Sequence, residues 1–136
     1  MADKLHFSLV SPARELMSGD VDMVVVPGTE GDFGVLAQHA PVIATLRPGF
    51  LTVHNEGAAP QKIFVYKGFA EVTPTSLSVL TEEAIPAEDL KANGELDKRM
   101  KDAQEDLSIA KTPEERHAAE EEIGHMQAIK AALAEV

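Results

Sequence analysis

The stretch Leu80-Thr81-Glu82-Glu83-Ala84-Ile85-Pro86-Ala87-Glu88-Asp89-Leu90-Lys91-Ala92 changes character at Pro86. Before it lie all six aromatic residues of the chain and eleven of its twelve valines. β-branched and aromatic side chains fit a pleated, half-buried sheet. After it the chain is built mainly from Ala, Glu, Lys, Leu and Met, which lose little freedom in a helix. The boundary therefore falls at about residues 85–87, dividing the 136 residues into a β part, 1–86, and an α-helical part, 87–136.

Upstream of the break, short apolar runs recur at residues 5–10, 21–26, 42–46, 50–54, 62–66, 69–72 and 77–80. Pro27-Gly28, Pro48-Gly49, Asn55-Glu56-Gly57 and Thr73-Pro74 separate them, supplying the fixed or positive φ of tight reversals. Seven or more short strands at this spacing predict a β-sandwich or barrel.

Downstream, Leu96, Met100, Ala103, Leu107 and Ala110 alternate at four and three residues, which places them on one helical stripe. A second stripe runs through Ala119, Ile123, Met126, Ile129 and Leu133. Thr112-Pro113-Glu114-Glu115 offers this helix an N-cap, a proline at its first position and a capping-box glutamate. Asn93-Gly94 should weaken or delay the first helix. Two such stripes on a short connection pack as an antiparallel two-helix hairpin. Apolar burial stabilises by roughly 25 cal/mol per Å², so alanine-rich stripes give a marginal, detachable element.

The formal charge of -11 repels polyanions, and the five basic residues of the β part, Lys4, Arg14, Arg47, Lys62 and Lys67, are scattered, so no nucleic-acid partner is expected. There is no cysteine, which excludes disulfides, thiolate catalysis and zinc fingers. Met1-Ala2-Asp3-Lys4-Leu5-His6 carries no apolar signal core, and the longest uncharged run, 33–46, contains Gly, Gln, His and Pro. Neither secretion nor a direct membrane span is expected.

The five histidines show no HExxH spacing and no serine sits in a G-x-S-x-G elbow. No catalytic residue, metal or cofactor is expected. The densest motif is Pro27-Gly28-Thr29-Glu30-Gly31-Asp32-Phe33-Gly34. It is no phosphate loop, because it lacks Gly-Lys-Ser/Thr and its carboxylates, Glu30 and Asp32, would repel phosphate. It reads either as a turn between strands or as an exposed acidic contact loop.

The run Val24-Val25-Val26-Pro27-Gly28-Thr29-Glu30-Gly31-Asp32-Phe33-Gly34-Val35-Leu36-Ala37-Gln38-His39-Ala40-Pro41 resembles the signature of the epsilon subunit of F-type, proton-translocating ATP synthases. Leu9-Val10-Ser11-Pro12, Leu46-Arg47-Pro48-Gly49, Gly68-Phe69-Ala70-Glu71-Val72 and Val79-Leu80-Thr81-Glu82 agree in order and spacing. The likeness covers residues 5–85, while the helical part agrees in architecture more than in residues. It implies a ten-stranded β-sandwich at the foot of the rotor, docked on the gamma subunit and the c-ring, with no active site. Carried over residue by residue, it implies c-ring contact at Glu30, Gly31 and Asp32 and gamma contact at His39. The ring loops of this family are polar and often basic, which suits an acidic loop.

Two departures bear on regulation. Some relatives bind ATP through Ile/Leu-Asp-x-x-Arg-Ala; here Glu88-Asp89-Leu90-Lys91-Ala92-Asn93-Gly94 lacks the arginine, so no ATP binding is expected. In several relatives a basic hairpin inserts among the catalytic alpha and beta subunits and blocks hydrolysis. Residues 87–136 instead carry 13 acidic and 7 basic side chains, so the hairpin is expected to be a weak or absent inhibitor. The resemblance, with an initiator Met1 and no transit peptide, implies a peripheral protein on the cytoplasmic face of a bacterial inner membrane. Two readings from other classes stay open: a free-standing small-molecule-binding β-sandwich, and a hydrolase that assembles His39, Asp32 and a serine.

Overall fold

In the computed structural model, which describes residues 3–92 and 95–134, period-two alternation sets the β architecture. Leu5, Phe7 and Leu9 of β1 (Leu5–Val10) are buried, as are Val24 and Val26 of β3 (Met23–Gly28) and Leu51 and Val53 of β6 (Gly49–His54). The remaining strands are β2 (Glu15–Val21), β4 (Gly31–Val35), β5 (Val42–Thr45), β7 (Gln61–Val72) and β8 (Ser76–Pro86). They form one continuous ladder in the order β2-β1-β8-β7-β6-β3-β4, with β5 on β7. Every pair is antiparallel except β1 with β8. Their inward side chains close around one core.

The ladder folds over at the middle of β7. Ile63 and Val65 face the core before Lys67, and Ala70 and Val72 face it after, so the inward parity switches from odd to even. On β8 it switches in step, from Leu77 and Val79 to Ala84. Lys67 makes the switch with a positive φ of 56°. The buried Thr81 hydroxyl accepts the Tyr66 N–H at 3.1 Å and lies 2.9 Å from the Tyr66 carbonyl. Gly68 is required, because a Cβ there would stand 1.9 Å from the Leu80 carbonyl oxygen. The first half of β7 then pairs with β6 and the second with β5.

This continuity corrects the strand count. Among the described residues there are eight strands, not ten: β7 and β8 each run unbroken through the fold-over, so that runs 62–66 and 69–72, for example, are halves of one bent strand. The apolar runs do not mark β2 and β4 as strands. β2 is an edge of alternating exposure with Glu15, Ser18, Gly19 and Asp20, and β4 holds two glycines and Asp32. Pro27-Gly28 is a strand end, paired with Asp32 and Gly31, and the reversal sits one step later at Thr29-Glu30.

The chain divides into two compact units at Pro86 and Ala87. The second holds three described helices, α1 (Ala87–Ala92), α2 (Glu95–Ile109) and α3 (Pro113–Ala134). The expected interruption at Asn93-Gly94 lies outside the described residues. α2 and α3 are antiparallel: Asp97 meets Lys130 at 3.2 Å, and Arg99, further along α2, meets the earlier Glu122 at 2.8 Å. Met100, Ala103, Ala119, Met126 and Ile129 of the two stripes are buried. The Thr112 hydroxyl accepts the Glu115 N–H at 3.1 Å, and the Glu115 carboxylate accepts the Lys111 N–H at 2.9 Å, a capping box reaching one residue further back than expected.

Candidate functional site

The β3–β4 hairpin is closed by the Gly28 and Gly31 pair around Thr29-Glu30, with Gly31 at φ 127°. Its shape depends on small residues, since a Cβ on Gly28 would approach the Gly31 carbonyl oxygen to 2.9 Å and the Phe33 ring to 3.0 Å. The last residue of β5 and the segment that follows it clamp it from the side. The Thr29 N–H donates to the Thr45 carbonyl at 2.9 Å, and the Arg47 N–H to the Pro27 carbonyl at 2.9 Å.

A second turn approaches from the far end of β4. The His39 N–H donates to the Leu36 carbonyl at 3.2 Å, and Gln38 takes a positive φ of 69° with its N–H on the Pro74 carbonyl at 2.6 Å. This turn carries His39 toward Phe33, with ring centroids 6.4 Å apart, and the His39 Nδ1–H donates to the Ala40 carbonyl at 2.7 Å.

Between the hairpin, the His39 turn and β5 lies a groove of about 690 Å³. Glu30, Gly31, Phe33, His39, Val42 and Ile43 are among its lining residues. Of the four residues singled out in the sequence, Glu30, Gly31 and His39 meet there. Asp32 does not line it; its carboxylate is held by the Arg47 guanidinium. The sequence motifs do not single out Phe33, Val42 and Ile43 as site residues. Ile43 is 71% exposed, and alternation along β5 with Ala70 and Val72 opposite Ala44 and Val42 would have marked it as outward-facing.

The groove offers apolar surface with one carboxylate at its rim, which is the chemistry of a docking surface. A hydrolase would need His39, Asp32 and a serine together. Asp32 instead pairs with Arg47, and no serine is among the lining residues.

Residues 4–87 match the family described as ATP synthase, Delta/Epsilon chain, beta-sandwich domain, and residues 93–135 match the C-terminal domain of the ATP synthase epsilon chain. This protein belongs to the ATP synthase epsilon chain family. The epsilon chain of Parvibaculum lavamentivorans is 52% identical over 130 residues, covering 96% of this chain and 98% of that one. The epsilon chain of Caulobacter vibrioides is 57% identical over 84 residues, only 62% of this chain but 96% of that one. Among solved structures, a chain of the Euglena gracilis mitochondrial ATP synthase, described as OSCP/F1/c-ring in rotational state 1, matches with TM-score 0.73 and 26% identity. The match covers 98% of this chain and 83% of that one. An epsilon chain is a stalk subunit and not the catalytic one, and a free-standing small-molecule binder is not favoured. The family match also reaches the helical unit, whose likeness in residues is poorly legible. Among the described residues, no helix is long and apolar enough to cross a membrane.

Proposed function

We propose that this epsilon chain is a rotor adaptor, its β unit joining the gamma subunit to the c-ring during proton-driven ATP synthesis. Gamma contacts the groove on the His39 side and the polar ring loops meet the hairpin of Glu30, Gly31 and Asp32. The complex lies on the cytoplasmic face of a bacterial inner membrane, where this subunit is peripheral, and the helical unit contributes little inhibition through the alpha and beta subunits. The observation that carries the reading is the convergence of Glu30, Gly31 and His39, from two separate turns, on one groove with apolar Phe33, Val42 and Ile43. The torque path is suited to a packed sandwich, since protein interiors are close-packed and transmit strain.

Co-elution of the full-length protein with purified gamma tests the docking. His39→Ala with Ile43→Asp should weaken that complex at least about tenfold, as expected of an apolar anchor at an interface centre. Both side chains are exposed or half-buried, so the fold should survive. A folded double variant that binds gamma as the parent does, or a parent that does not bind it, would defeat the reading.

A further inference from the structure

Where the end of α2 meets the start of α3, small side chains leave a gap in the seam. Ala118 and Ala119 are among the residues lining a hollow of about 440 Å³, and Ile109 stands beside them with 70% of its surface exposed. The lining also holds three carboxylates, Asp106, Glu115 and Glu122, and no basic side chain. Two of the three are engaged within the helical unit. Glu122 accepts the Arg99 Nε–H at 3.2 Å and its Nη2–H at 2.8 Å, and Glu115 accepts the Lys111 N–H at 2.9 Å. Asp106 is exposed and pairs with no described side chain. It stands three residues before Ile109, so the free charge and the exposed apolar group share one face of α2.

We propose that this hollow is a docking site for a basic amphipathic helix of a partner other than gamma, gamma being assigned to the β unit. The hollow is open, since Asp106, Ile109, Glu115 and Ala118 are all exposed, and an open groove suits the face of a helix better than it encloses a small molecule. An apolar anchor of the incoming helix fills the space over Ala118 and Ala119 and meets Ile109. A lysine or arginine one turn away on the same face meets Asp106. Charge selects this occupant over a second copy of the chain. Each copy carries -11 and its helical unit has 13 acidic and 7 basic side chains, so a second hairpin would bring like charge to an acidic rim. The hairpin then serves as a receiver for a partner and not as an arm that inserts into one.

The test titrates the full-length protein with a synthetic helical peptide of leucine and lysine whose leucines follow helical spacing. Two controls accompany it, a scrambled peptide of the same composition and one with glutamate for every lysine. The ordered basic peptide should bind at least about tenfold tighter than the scrambled one, and the acidic peptide should not bind. Ala118→Arg closes the hollow and should weaken binding at least about tenfold. Glu120→Gln, which shifts the net charge equally but outside the hollow, should leave it within about twofold. Ile109→Ser should weaken binding roughly fivefold through lost apolar area, and Asp106→Asn roughly two- to fivefold at low salt, fading as salt is raised. All four positions are exposed, so the fold should survive, which far-UV circular dichroism checks. Should Ala118→Arg misfold, Ile109→Ser and Asp106→Asn decide. Saturating gamma should leave the peptide affinity unchanged. The proposal is overturned if the scrambled peptide binds as tightly as the ordered one, if folded Ala118→Arg binds as the parent does, or if Ile109→Ser and Asp106→Asn both match the parent. Equal losses for Glu120→Gln and Asp106→Asn, or displacement of the peptide by gamma, overturn it as well.

Discussion

Asp22 ties together three places that are far apart in sequence. Its carboxylate pairs with Lys4 and accepts the Glu56 N–H at 2.5 Å, while its own N–H meets the Asn55 side-chain oxygen at 3.2 Å. The hydrogen bond from Lys4, followed by that from the Glu56 N–H, holds its pKa below the ordinary 3.8. A carboxylate lowered on folding stabilises the protein fully above the unfolded value and loses that contribution as pH falls through the folded value. Asp22→Asn should therefore bring the denaturant midpoint earlier at neutral pH, with the gap to the parent closing as pH is lowered through and below 3.8. A gap that persists unchanged in acid would assign the effect to something other than the carboxylate charge. Nothing in the local sequence announces this node, because its partners lie 18 and 34 residues away. The same holds for Asp32 and Arg47, 15 residues apart, whereas Glu30 and His39 can be picked out from the motif that contains them.

Among the elements, those with a strong period are legible and those without one are not. The stripes of α2 and α3 announce their buried faces, and β1 reads with its observed bounds, because Leu5, Phe7 and Leu9 alternate cleanly. β4 escapes notice because Gly31, Asp32 and Gly34 disfavour a strand; its place comes from pairing with Val24, Val25 and Val26 of β3. β2 is held likewise, by β1 alone. Caps lie between these cases, being local in sequence and worth a measurable amount. Thr112→Ala removes the acceptor for the Glu115 N–H and should cost about 1 kcal/mol. The check is the unfolding of the helical unit followed by far-UV circular dichroism, with Thr112→Ser expected to retain most of the parent stability. Equal losses for both substitutions would point to packing and not to the cap.

At the scale of the whole molecule, the break at Pro86 separates a unit with a wide core from one with a thin seam. The seam leaves a hollow of about 440 Å³ near the turn, bordered by Ala110, Ala118 and Ala119 with Asp106, Glu115 and Glu122. Its positive charge is also partly engaged, since Arg99 meets Glu122 and Lys130 meets Asp97 inside the hairpin. Opening the helices would expose the fully buried Met126 and Ile129 and release these pairs, yet leave a segment of 13 acidic and 7 basic residues. Such a segment is repelled by acidic surfaces and short of donors for them. Truncation after Pro86 should therefore leave ATP hydrolysis by the reconstituted catalytic sector within about twofold of the full-length value, a shift of roughly 0.4 kcal/mol in barrier. The β unit should still bind gamma in the same preparation, which separates lost inhibition from lost assembly. A several-fold rise in hydrolysis with gamma binding intact would mean that the hairpin inhibits despite its charge, and that its contacts with the catalytic subunits are apolar.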